Sequence, residues 1–308
     1  MTDIDKKRLF LFLNLAFSIA WLCALVIALT GGLVNSPELI PNSGLTLALV
    51  LLASVYMWAP ALANIFTRLV TREGRSELLL KSHFKLAWPY WLAGWFGPGL
   101  LTILGALLFF LVFPSLFDGS LSLLTAQLAA AGIQLEQFNS LTYIGSQVLL
   151  ALLAAPLLNL TATFGEEFGW RAYLLPKLAF LGERKSLLLS SLIWGVWHWP
   201  VVLMGHNYGL EYWGYPWTGL LATLLVFIPF GVTFGWLSRR AGSVWPAVFA
   251  HGALNGMAAI GLLFVREGFS PLLGPSPAGI IGCLPFTLIS LVILLKSTGN
   301  GGKTPIVI

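Results

Sequence analysis

Residues 88–113 read WPYWLAGWFGPGLLTILGALLFFLVF, 26 positions in a row without a charged side chain. Roughly 20 apolar residues suffice for a helix to cross the hydrocarbon layer of a bilayer. The core of a soluble domain has no room for many such runs, yet others flank this one on both sides. Apolar stretches recur at about 9–30, 45–66, 141–165, 186–204, 217–237, 243–265 and 277–295, which makes eight predicted spans. Composition agrees, since 57% of the 308 residues are hydrophobic, only 9% are charged, and mean hydropathy is +0.86. The fold class is all-α, a polytopic membrane protein of about eight transmembrane helices.

Lysine and arginine orient such a chain, because basic flanks stay on the cytoplasmic side. Reading the spans alternately from a cytoplasmic N-terminus puts sixteen of the 17 basic residues on that side, from Lys6, Lys7 and Arg8 through Arg239 and Arg240 to Lys296 and Lys303. Arg266 alone falls outside. One missed helix would scramble this alternation, so the bias also supports the span count. It predicts an integral protein of the cell membrane with both termini cytoplasmic. Topology accounts for the calculated pI of about 9.3, and no nucleic-acid partner is needed. Cys23 and Cys283 both fall in apolar runs and there is no CxxC, so neither a disulfide framework nor a cysteine zinc site is supported. The first span follows DKKR but is too long for a signal-peptide core, and TGGLVNS is a poor cleavage site, so a retained anchor is expected. The outer loop at 114–140 contains SLLTAQLAAAGIQLEQF, expected to form a short helix lying on the membrane. The tail KSTGNGGKTPIVI is expected to be flexible.

Against this background Phe164 to Leu174, FGEEFGWRAYL, stands out. Ionisable groups inside spans are costly and mark functional sites. His198 in WGVWHWPVVL and His251 in FAHGALNG are two more, with Asn255 four residues after His251. His83 and His206 fall in predicted loops and carry little information. At 1.5 Å per residue, Glu166, His198 and His251 all lie roughly 10–18 Å from the cytoplasmic helix ends, so one shared cavity is geometrically possible. Helical phase divides the two glutamates. Glu167 and Arg171, at i and i+4, lie about 40° apart and are expected to pair, while Glu166 points elsewhere. The same spacing puts His251 and Asn255 on one helix face.

A glutamate, two histidines and an asparagine around one cavity suit amide hydrolysis. The carboxylate serves as general base for water, a neutral histidine orients that water, and a second histidine with an amide donates to the developing oxyanion. A zinc ion held by Glu166, His198 and His251 is an alternative, although HExxH is absent. A proton-coupled transporter also needs buried carboxylates and histidines, and remains the competing class.

The ordered set EEFGWR, WGVWHW and HGALN resembles the three motifs of the CAAX protease and bacteriocin-processing family, also called the CPBP or Abi family. This group of intramembrane proteases includes the Ras-converting CAAX endopeptidase. The resemblance covers about 160–256. It implies an intramembrane endopeptidase in which Glu166 and His198 activate water, His251 and Asn255 form the oxyanion hole, and Glu167 and Arg171 support them. It implies no obligatory cofactor, with zinc left possible. The expected substrate is a peptide or protein reaching a membrane cavity from the cytoplasmic side. Some relatives act as non-catalytic bacteriocin self-immunity proteins, which is a further alternative. The expected organisation is N-terminal helices and loops at 1–140, a catalytic core at 141–265, and a last helix with its tail at 266–308.

Overall fold

Proline and glycine decide where the apolar stretches of this chain bend and end. The computed structural model describes residues 2–75, 78–130 and 139–297. Its main helical segments are α1 (Asp3–Leu29), α2 (Leu47–Val70), α3 (Phe84–Val112), α4 (Ser122–Ala130), α5 (Ser140–Leu153), α6 (Leu160–Gly169), α7 (Glu183–Leu203), α8 (Trp217–Ala241), α9 (Trp245–Phe264) and α10 (Leu284–Lys296). Six of these, α1 to α3 and α7 to α9, are long and apolar enough to cross a membrane, and α5 and α10 are shorter apolar helices. Every predicted span has a helical counterpart, and among the described residues there is no β-strand. The chain is an all-α polytopic membrane protein.

Three boundaries differ from the sequence reading. The stretch at 141–165 is not one rod. α5 stops at Leu153, a single turn covers Ala155–Leu158, and α6 follows and runs into a π turn at Trp170–Leu174. Pro156 explains the break, because its ring offers no N–H and crowds the preceding turn. The last helix begins at Leu284, since Pro271, Gly274, Pro275 and Pro277 hold the residues before it in turns. The first begins earlier, at Asp3. There Thr2 Oγ1 accepts from the Asp5 amide and the Asp5 carboxylate accepts from the Thr2 amide, both at 3.2 Å. In the outer loop a helix forms at Ser122–Ala130, and the rest of the stretch expected to be helical lies outside the described residues. So do Lys303 and nearly all of the tail.

One end of the bundle gathers the basic residues. Glu73 lies 3.5 Å from Arg8 and 2.5 Å from Lys177, Arg240 lies 3.7 Å from Glu183, and Arg184 Nε donates to the Leu294 carbonyl at 2.9 Å. The start of α1, the loop after α2, the turns around 177–184 and 239–241, and the end of α10 therefore share one face. Glycines set how closely the central helices approach, which matters where lipid supplies no hydrophobic drive for helices to associate. α6 carries Gly165 and Gly169 against α2, and a Cβ at these positions would lie 2.6 Å from Met57 O and 2.3 Å from Pro60 Cβ. α9 carries Gly252 and Gly256 against the Pro156 break, where a Cβ would lie 3.0 Å from Pro156 Cα and 2.1 Å from Ala155 Cβ. These contacts wedge α6, which carries both glutamates, between α2 and α9.

Candidate active site

The site grows from a second break, at His198. Pro200 has no amide hydrogen, and the helix loosens into Glu183–Trp197 and Trp199–Leu203 with His198 between them. The His198 amide bonds Gly195 O at 3.2 Å, which releases the Trp194 carbonyl from its usual partner. His198 Nδ1 takes that carbonyl at 2.9 Å. A carbonyl only accepts, so Nδ1 carries the hydrogen and Nε2 is left as an acceptor. The Trp197 carbonyl is freed in the same way, and it accepts from Tyr56 Oη at 2.7 Å and Trp21 Nε1 at 3.2 Å.

The adjacent glutamates part company as helical phase requires. Glu167 Oε2 lies 3.1 Å from Arg171 Nε, with both side chains at 0% exposure. Its other oxygen, Oε1, accepts from His251 Nδ1 at 3.0 Å, a partnership between residues 84 positions apart that local spacing does not reveal. Glu166 turns to α7, where Trp194 Nε1 donates to its Oε2 at 2.7 Å. Trp194 thus holds Glu166 through its indole and His198 through its carbonyl. It also lies 4.8 Å beneath the Arg171 guanidinium and 5.4 Å from the His251 ring, centroid to centroid. The sequence pattern alone singles out no role for Trp194. Its value as a donor depends on α6 and α7 being neighbours, which the sequence alone does not show.

Glu166, His198, His251 and Asn255 all line one cavity of about 330 Å³. Tyr56, Phe227, Phe230 and Leu254 contribute to its largely apolar wall. His206 and Asn207 also reach the cavity, although a histidine in a predicted loop had seemed uninformative. The four candidate residues come from α6, α7 and α9. Their grouping is the central geometric result.

Residues 147–257 match the family of type II CAAX prenyl endopeptidases that are Rce1-like. The chain is also 31% identical over 102 residues to CAAX prenyl protease 2 of Methanococcus maripaludis. Over this part the chain is similar to the CAAX protease family. The alignment with the Methanococcus protein takes in 32% of this chain and 37% of that relative, so the likeness spans about a third of each. The motif residues from Glu166 to Asn255 all fall inside the matched range.

Zinc was left open by the sequence, with Glu166, His198 and His251 as ligands. Among the described residues, no three His, Cys, Asp or Glu side chains are grouped so that they could hold one metal ion. The trio does not fit a metal centre as arranged here. The cavity lining runs to His206, Asn207, Pro277 and Ala278, in the loops at the end of the bundle opposite the basic residues.

Proposed function

We propose that the chain is an intramembrane endopeptidase that hydrolyses a peptide bond with water activated by Glu166 and His198. The observation that carries this reading is one cavity bounded by two acceptors and two donors. Glu166 Oε2 is engaged by Trp194 and His198 Nδ1 by a backbone carbonyl, which leaves Glu166 Oε1 and His198 Nε2 to accept the two hydrogens of one water. That water presents its lone pair to the scissile carbonyl. As its oxygen bonds to the carbonyl carbon, Glu166 takes one proton and the carbonyl oxygen gains negative charge. The Asn255 amide and His251 Nε2 act as donors to that oxyanion. For Nε2 to donate, the His251 ring must carry both protons, and the Glu167 carboxylate against Nδ1 balances that charge. Collapse of the intermediate breaks the C–N bond, and Glu166 returns its proton to the leaving amine.

No step in this scheme passes through a metal. The Methanococcus relative is named for prenylated CAAX substrates. For this chain we infer a peptide segment whose apolar part rests on the cavity wall. The test is Glu166→Gln, which keeps the shape and removes the base. Cleavage of a pool of quenched fluorescent peptides by the purified protein should fall by about 100- to 10,000-fold at normal folded yield. Wild-type cleavage by this variant would refute the mechanism, and complete absence of cleavage by the wild type across the pool would favour the transporter or immunity reading.

A further inference from the structure

The cavity is closed at one end and open at the other. Toward the basic end Glu166 is followed by Glu167 and Arg171, both at 0% exposure and outside the cavity lining. On that side the loop after α2 covers the start of α9, where Leu79 O accepts from the Val244 amide and Leu80 O from Trp245 Nε1, each at 2.8 Å. Moving away from the basic end, exposure rises through Glu166 at 2%, His251 at 5% and His198 at 7%. Asn255, one turn beyond His251, is already exposed, and so are His206 and Asn207 in the loop that follows α7. A second hollow of about 200 Å³ shares Asn207 and Ala258 with the first and carries the open space on to Phe269 and Pro271. Among these residues, exposure rises with distance from the basic face.

Basic flanks mark the cytoplasmic side of a membrane protein. Glu73 with Arg8 and Lys177, and Glu183 with Arg240, tie those flanks into one end of this bundle. We propose that substrate reaches the site from the extracytoplasmic side, through a mouth between the loop at 204–216 and the turns at 265–283. The inference rests on the peptidase reading above for what enters, and on geometry alone for where. It names the substrate class as a polypeptide segment presented on the outer side of the membrane, in place of a cytoplasmic chain.

Access can be read without any substrate. Cys23 and Cys283 are buried at 7% and 1% exposure, so unmodified protein supplies a low background for thiol labelling. Ala258→Cys puts a small thiol where the two hollows meet, and Arg75→Cys marks the basic face. A membrane-impermeant maleimide should label Ala258→Cys in intact cells and not in inverted vesicles, with the reverse pattern for Arg75→Cys. If Ala258→Cys does not accumulate, Asn207→Cys carries the same expectation. Labelling of the cavity cysteine from the same side as Arg75→Cys overturns the proposal, and so does labelling of Arg75→Cys in intact cells. Neither outcome depends on proteolysis, which Glu166→Gln tests separately.

Discussion

Replacing Trp194 with phenylalanine isolates one hydrogen bond at the centre of the site. The indole N–H meets Glu166 Oε2 at 2.7 Å in a fully buried setting, and phenylalanine keeps most of the ring that packs on His198, His251 and Phe227. A hydrogen bond to a charged group contributes about 1.5–3 kcal/mol net, equivalent to about 10- to 160-fold in rate if it acts wholly on the transition state. Trp194→Phe should therefore lower kcat/KM by an amount in that range. Trp194 is a positioning residue, so a second readout is needed to separate this role from simple packing. In a Glu166→Gln background the indole no longer faces a carboxylate, and the Phe substitution should cost much less than it does alone. The wild-type, single and double variants should be assayed together on the same peptide, with folded yield measured by size exclusion. Equal losses in both backgrounds would mean that Trp194 only fills space, and the assigned role would be wrong.

Other perturbations read other parts of the network. Arg171→Ala leaves Glu167 in a dry site against His251 without its arginine, and should lower stability by about 3–5 kcal/mol, seen as a drop in folded yield and melting temperature. Asn255→Ala removes half of the proposed oxyanion hole and should cost about 100- to 1000-fold in kcat at unchanged folded yield. A small effect of that variant, together with one zinc per chain and activity lost on chelation and restored by zinc, would instead point to a metal mechanism. At the basic end, burial pushes the Glu73 carboxyl up, but hydrogen bonds from Lys177 and Tyr173 outweigh this and hold it below its usual value. A carboxylate held low contributes stability above its unfolded pKa and loses it as pH falls through the folded one. Glu73→Gln should therefore be less stable than wild type at neutral pH by about 1.5–3 kcal/mol, with the gap closing in acid.

Much of the fold was legible because each span is long, uncharged and flanked by lysine or arginine. The 88–113 run and the alternation of basic loops left little freedom for α3 or for its neighbours. Pro156 was equally visible, yet a hydropathy window averages across it, and the broken helix was drawn as one span. Within the site, the Glu167–Arg171 pair followed from a four-residue spacing and is present at 3.1 Å. Contacts between helices were not legible in that way. Trp194 reaches Glu166 across 28 positions and His251 reaches Glu167 across 84. Local spacing says nothing about such pairs until the helices are known to be adjacent. His206 was passed over for the same reason, since a loop residue joins a cavity only when the loop folds over it.

The two glutamates show how one 100° step on a helix separates structure from chemistry. Glu167 faces α9 and is fully committed, with one oxygen to Arg171 and the other to His251. That commitment fixes the His251 ring and turns its Nε2 toward the cavity. Glu166, one residue earlier, faces α7 and gives only one oxygen to Trp194. A carboxylate with a spare oxygen beside open space is able to exchange a proton with water, whereas one buried between an arginine and a histidine is not. Both orientations depend on the helix lying close to its neighbours on either side, and the glycine pair at 165 and 169 permits that approach to α2. A larger residue at either glycine would have to push α6 off α2 and carry both carboxylates with it. The bare face of α6 is therefore as much a condition of the chemistry as the carboxylates themselves.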